Sequence, residues 1–439
     1  MRDILILAIV FFGAAAALRR PWIGVMLWTW ISIMNPHRFA WGIAFSAPVA
    51  AVAAGATLTG LLFTKDKASP FKGAPVWWLA AFTIWITISW LAGIDVAGDY
   101  VQWNKVMKIY LMTFVALALL HSRYHIMAFA WVTVGSLALL GIKGGVFTIM
   151  TGGNSRVWGP PGGFIEGNNE FALAIIVAVP MMYFLYSVHK NQWIRLGLIL
   201  SMLLCVISAL GTHSRGALLA AIAMGAVLWW RSHRKALVAI LMLFLVAAYV
   251  PTLPDHWWDR METIKTYEED GSAMGRINAW HVAWETAKRY PAGGGMSYQH
   301  AELFNEFGVY ETVIRAAHSI YFQVLGNHGF VGLLLYLGLW ISTYRLAGRL
   351  RTEGKGQAET EWVYHLGSMV QASLVAFAVG GAFLSLSYFD LPYNLMVMVV
   401  CAHQWLLKQR AAAPDSSETL NGTRRESRRS LRAKESEAY

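Results

Sequence analysis

The chain has 439 residues, of which 56% are hydrophobic and only 14% charged, with a mean hydropathy of +0.45. Soluble domains carry about 25% charged residues, so composition excludes a soluble globular protein and points to an integral membrane protein. The formal net charge of +11 does not indicate a nucleic-acid partner, because the basic residues sit in short clusters between apolar runs and near the end of the chain, as in cytoplasmic loops.

The opening stretch, MRDILILAIVFFGAAAALRRPW, has the length of a signal peptide. Arg19, Arg20 and Pro21 stand where a cleavage site would be, and a further apolar run begins at once, so a retained first span is expected. Apolar segments follow in chain order at 3–18, 21–34, 48–63, 75–92, 105–120, 125–141, 169–187, 193–210, 215–230, 235–250, 319–346, 362–387 and 391–407. The runs are continuous and do not alternate, which implies helices rather than a barrel. Several are shorter than the roughly 20 residues of a perpendicular span. The expected fold is an all-α integral membrane protein with about 12 (11–13) transmembrane helices. Residues 1–250 and 318–408 are expected to form the two parts of a bundle, 251–317 a large, mainly helical periplasmic loop, and 409–439 a basic, disordered cytoplasmic tail. Cys205 and Cys401 both lie inside apolar segments, so no disulfide framework or metal site follows from them.

The connections sort alternately into two sets. The set at 18–21, 65–72, 121–125, 190–195, 231–235, 345–355 and the tail is basic, and the positive-inside rule places it in the cytoplasm. The opposite set comprises 35–41, 93–102, 143–168, 211–215, 251–317 and 387–394. Thirteen segments put the N-terminus outside; if the first two form one broken span, twelve put it inside.

The unusual polar residues fall on the external set. Arg215 sits in GTHSRGALL at a helix start, and Arg156 in the glycine-dense TGGNSRVWGPPGGFIEGNNEFA. That loop also carries Glu166, Asn168, Asn169 and Glu170. Arg276 belongs to GSAMGRINAW, His318 opens the span after the polar stretch, and Asp390 lies in SLSYFDLPYN. Ionisable groups at membrane depth usually mark substrate paths or relays. Each also has a plainer reading. Arg215 could snorkel at the interface, Arg156 could brace its loop through carbonyls, and His318 could bond a backbone carbonyl. Arg276, with Trp280 and Trp284 one and two turns on, could pair with Glu268 or Glu269. His213, His281 and His328 read as structural. The tryptophans read mostly as interfacial anchors, and Trp257 and Trp258 as a membrane-dipping surface.

Arginine presents a planar fork that binds phosphate oxygens bidentately and keeps its charge, so several converging arginines describe a diphosphate site. A neutral histidine beside them can take a proton from an attacking hydroxyl. No DxD, HExxH, GxSxG or Walker pattern is present, so no metal or other cofactor is expected, and a serine hydrolase or NTPase is disfavoured. This combination fits transfer from a lipid diphosphate donor, with the arginines stabilising the leaving group.

With about twelve spans, GTHSRGALL, a large external loop containing GRINAWHVAWETAKRYPAGGG, and AAHSIYFQVLGNHGFVGLL, the chain resembles the O-antigen ligase family over roughly residues 1–407. Its opening, MRDILILAIV through RRPWIGVMLWTWISIMNPHRFAWG, is similar to the branch of O-glycosylation ligases. The resemblance implies a membrane glycosyltransferase of lipopolysaccharide biosynthesis in the bacterial inner membrane. It would move glycan on the periplasmic face from undecaprenyl diphosphate to lipid A–core oligosaccharide, independently of metal and with inversion. By that likeness His318 is the base; Arg215, Arg276 and, less closely matched, Arg156 hold the diphosphate. Glu166 or Asp390 would orient the histidine or an arginine, with Asn168 and Asn169 as further contacts. The family's frequent His-Asn pair is His318-Ser319 here, which leaves the partner of the imidazole open. An O-antigen polymerase and a protein O-glycosylation ligase share these motifs. A transporter of lipid-linked sugars is the alternative from another class, disfavoured by the polar excursion and by the lack of internal repeats.

Overall fold

The computed structural model describes residues 1–232, 234–236, 239–240, 271–309 and 314–412. Among these, every regular element is helical. The helices are α1 (Arg2–Arg19), α2 (Pro21–Met34), α3 (Ile43–Ser46), α4 (Val49–Phe63), α5 (Ala74–Leu91), α6 (Val96–Leu119), α7 (Arg123–Met150), α8 (Asn168–Val188), α9 (Gln192–Gly211), α10 (Arg215–Arg231), α11 (Gly271–Arg289), α12 (Ala301–Phe307), α13 (Ile320–Glu353), α14 (Glu361–Gly381) and α15 (Asp390–Ala412), with a 3₁₀ turn at Pro36–Phe39. Twelve of the thirteen apolar segments fall on helices, and the thirteenth, 235–250, lies mostly outside the described residues. Six helices, α5, α7, α8, α9, α13 and α14, are long and apolar enough to cross a membrane; α2 and α4 are apolar but shorter. An apolar segment with no water around it closes its own backbone hydrogen bonds as a helix. Its hydroxyls bond back to carbonyls one turn earlier, as Thr29 does to Val25 and Ser136 to Val132.

Residues 1–34 do not form one broken span. The chain reverses at Arg20, and Asp3 at the start of α1 accepts from the Gly42 and Ala44 amides at 3.0 and 3.1 Å. The N-terminus therefore shares an end of the bundle with the loop after α2.

Two boundaries depart from the apolar pattern for a tertiary reason. Helix α6 starts at Val96, capped by Asp95, well before the apolar run at 105. Its polar first turns dock the large loop: Asp99 accepts from the Met296 and Ser297 amides at 2.6 and 3.2 Å. Conversely, α14 stops at Gly381, while the apolar sequence continues. Leu384, Leu386 and Tyr388 are buried in non-helical chain.

The described part of 251–317 has a small core of its own, in which Ala279, Val282, Ala283 and Tyr298 meet Leu303, Phe304 and Ala317. It docks on α13, which breaks at Gly329 (φ 66°, ψ −172°). The break frees the carbonyls of Gly326 and Asn327, and the amides of Gly294 and Gly295 bond them at 2.9 and 3.0 Å. The glycines of PAGGG make that approach possible, since a side chain on Gly293 would strike the Asn327 carbonyl.

Contacts hold each of the two charge-sorted sets together. At one end Asn35 Nδ2 donates to Pro161 O, the Ile94 amide to Gly294 O, the Val157 amide to Gly211 O, and Ser387 Oγ to Ile320 O. At the other, His121 meets Asp66 at 3.0 Å, Arg231 donates to Ser368 O at 3.2 Å, and Arg410 pairs with Glu353 at 2.8 Å. The candidate site lies at the first end.

Candidate functional site

His318 enters the site on strained backbone, with φ 42°, just ahead of α13. A non-glycine residue in this left-handed region persists only where the surroundings hold it, and such residues cluster at functional sites. The support is visible: Trp280 Nε1 donates to Ala317 O at 2.7 Å, and its indole stacks on Phe322 at 5.0 Å. Trp280 therefore fixes the peptide immediately before the histidine and is no interfacial anchor.

Three charged groups surround the imidazole. Glu170, in the first turn of α8, places Oε1 3.9 Å from His318 Nδ1, beyond hydrogen-bond length and within ion-pair range. Arg276 on α11 and Arg315, three residues before the histidine, supply positive charge. The Arg315 side chain packs across Gly275, beside Arg276. Arg276 also lies within electrostatic reach of Glu170. Burial first, then the charges of Arg276 and Arg315, hold the pKa of His318 below its ordinary value. The imidazole is thus neutral over a wider pH range than a free one.

Helix α10 begins with Arg215 after a tight turn. Ser214 Oγ caps the helix by accepting from the Ala217 amide, and His213 has φ 56°. The glycine-rich loop grips that turn: His213 Nε2 lies 2.9 Å from Gly153 O, and Asn168 Nδ2 donates to Thr212 O at 2.8 Å. Exposed Arg156 belongs to the same gripping segment, next to Val157, whose amide bonds Gly211 O. Residues two apart on a helix point about 200° apart. Asn168 therefore reaches toward the Arg215 turn while Glu170 reaches toward His318, with half-buried Asn169 between them in the same turn.

The structure thus brings His318, Arg276, Arg315 and Glu170 into one cluster, while Arg215 and Arg156 adjoin the turn that Asn168, at the α8 start, and the Val157 amide bond. The carboxylate beside the histidine is Glu170, where sequence reasoning named Glu166 or Asp390. Glu166 Oε2 instead accepts from the Gly162 amide at 2.9 Å and braces its own loop. Buried Asp390 accepts from Ser32 Oγ at 2.7 Å and faces Lys105 electrostatically. The proposed partners of Arg276, Glu268 and Glu269, lie outside the described residues, as do Trp257 and Trp258. Arg315 was not singled out, although the argument that flagged Arg276, an arginine on the external set near His318, applies to it equally. His213 and His328 are structural, as expected; the latter is wholly buried.

Residues 200–337, which carry Arg215, Arg276, Arg315 and His318, match the family model described as O-antigen ligase. Residues 1–190, which carry Arg156 and Glu170, match a family of unknown function. No curated protein matches the chain.

Proposed function

The chain belongs to the O-antigen ligase/polymerase superfamily, and from that premise we propose that it is a ligase moving O-antigen glycan from undecaprenyl diphosphate to lipid A–core oligosaccharide. The reaction takes place on the periplasmic face of the bacterial inner membrane, without metal and with inversion at the anomeric carbon. The observation that carries this reading is the cluster itself: a partly exposed, neutral-leaning histidine flanked by two arginines and one carboxylate, at the end of a multi-pass bundle.

The donor diphosphate lies against Arg276 and Arg315, with Arg215 and Arg156 as further phosphate contacts. Glu170 faces Nδ1 and favours the tautomer with its proton there, leaving Nε2 to accept. As the acceptor hydroxyl gives its proton to Nε2, its oxygen bonds the anomeric carbon from the face opposite the diphosphate. The bond from that carbon to the diphosphate oxygen breaks, and the electron pair leaves with undecaprenyl diphosphate. The arginines stabilise the charge that develops there. Glu170 stabilises the imidazolium until the proton passes to water.

The test is reconstitution of purified protein with undecaprenyl-diphosphate-linked glycan and lipid A–core, in excess chelator. Glycan should appear on lipid A–core in the parent and not in His318→Ala. Growth of glycan on undecaprenyl diphosphate instead would assign a polymerase, and a requirement for one divalent metal would overturn the mechanism. For sidedness, a cysteine at Glu302 should react with an impermeant reagent in spheroplasts and one at Lys355 should not. Native Cys205 and Cys401 are buried and give little background.

A further inference from the structure

The end of the bundle opposite His318 holds a cavity of about 310 Å³ whose lining includes Arg19, Arg20, Trp22, Asp66, Tyr124 and His125. Three connections build it: the α1–α2 turn, the α4–α5 loop and the α6–α7 turn with the helix ends that flank it. Its aromatic wall is ordered by packing. Trp22 stacks on His125 at 4.9 Å and meets Tyr124 edge-on at 5.6 Å. The one carboxylate at its rim, Asp66, is engaged by His121 Nε2 at 3.0 Å. Arg19 and Arg20 are exposed, and among the described residues neither has a carboxylate within ion-pair distance. The cavity therefore presents two guanidiniums that no carboxylate among the described residues pairs, each with the fork geometry that suits a phosphate.

What borders the cavity decides between a soluble anion and a lipid. Leu18 is 50% exposed, and Leu62 and Phe63, next to the lining residue Thr64, are 75% and 80% exposed. An anion-binding recess opening beside bare aliphatic and aromatic surface matches a molecule with a phosphate head and long apolar tails. Basic pockets between helices at the cytoplasmic surface take such headgroups.

We propose that this cavity is a binding site for an anionic phospholipid of the leaflet opposite the candidate active site. Arg19 and Arg20 hold the phosphodiester, and the acyl chains run along Leu18, Leu62 and Phe63. The site lies within the region matched only by a family of unknown function, and it does not depend on the glycan-transfer reading.

The experiment is native mass spectrometry of the purified full-length chain in neutral detergent, titrated with phosphatidylglycerol or with phosphatidylcholine of the same acyl chains. The parent should retain phosphatidylglycerol in preference. Arg19→Gln/Arg20→Gln should lose roughly fivefold in that affinity per charge, about thirtyfold for both, with phosphatidylcholine retention unchanged. Arg19→Lys/Arg20→Lys should keep most of the preference. Because both arginines are exposed, each variant should keep the parental melting temperature. Unaltered phosphatidylglycerol retention in the folded glutamine variant would overturn the proposal. So would competition by inorganic phosphate as effective as that by the lipid, since the site would then be a plain anion site.

Discussion

His318 and His328 lie ten residues apart on one stretch of chain, and their surroundings are opposite. His328 sits at the break in α13 with no exposed surface, and both ring nitrogens are engaged, Nδ1 with Ser89 Oγ at 2.9 Å and Nε2 with Tyr388 Oη at 2.6 Å. Ser89 and Asn327 extend this knot to Ala292 and Met296, tying the large loop to the bundle. His318 sits one loop earlier on strained backbone, partly open, with charged groups near it and Nδ1 without a hydrogen bond. A buried polar group with every partner satisfied stabilises one arrangement. A histidine held in place by its backbone, with a partly exposed ring beside charged groups, is arranged for chemistry. The same residue type thus divides into a fastener and a reagent according to what its nitrogens touch.

That contrast breaks first at His318. Replacement by alanine should cut glycan transfer by roughly a hundred- to ten-thousand-fold, while donor binding and melting temperature stay near parental. Equal loss of donor binding would make His318 a binding group. Next in size, Arg276→Ala should cost transfer roughly a hundred- to a thousand-fold, the worth of one donor to developing charge, and Arg276→Lys should recover part of it. A parental rate in Arg276→Ala would remove the arginine from the leaving-group role.

His328→Ala should do the reverse of His318→Ala. It removes one hydrogen bond each from Ser89 and Tyr388, about 0.5–1.5 kcal/mol apiece, while Ser89 keeps the Ala292 and Asn327 carbonyls and Tyr388 keeps Asn327 Nδ2. The expected readout is a lower melting temperature with near-parental turnover per folded molecule; intact stability with lost turnover would erase the distinction. Glu170→Gln should lower turnover roughly tenfold or more, since an opposite charge within about 4–6 Å is worth about one to three pKa units to the charged imidazole, with little change in KM.

The smallest effect sharpens the electrostatics. A general base works when neutral, so the parental rate should fall as pH drops through the pKa of His318. That pKa lies below the ordinary value because of burial and the charges of Arg276 and Arg315. Removing a positive neighbour eases protonation, so Arg315→Gln should move the acidic limb of the pH–rate profile to higher pH. A limb that stays put would mean that Arg315 does not act on the histidine.

Sequence alone determined the helical membrane class, the positions of twelve described helices and the division of the connections into two sets. Each rests on local chemistry: continuous apolar runs must become helices, and clustered basic residues mark one side. It also singled out His318, Arg276 and Arg215, because ionisable groups beside apolar segments are costly and stand out in composition. Tertiary structure decided what depends on which segments meet. Glu170 is one of two carboxylates in GFIEGNNEF, and only the docking of the α8 start against the His318 loop separates it from Glu166. Trp280 reads as one more interfacial aromatic until it is seen to hold the Ala317 carbonyl. The early start of α6, the early stop of α14 and the break at Gly329 likewise follow from contacts with distant loops, which a local pattern of hydropathy does not encode.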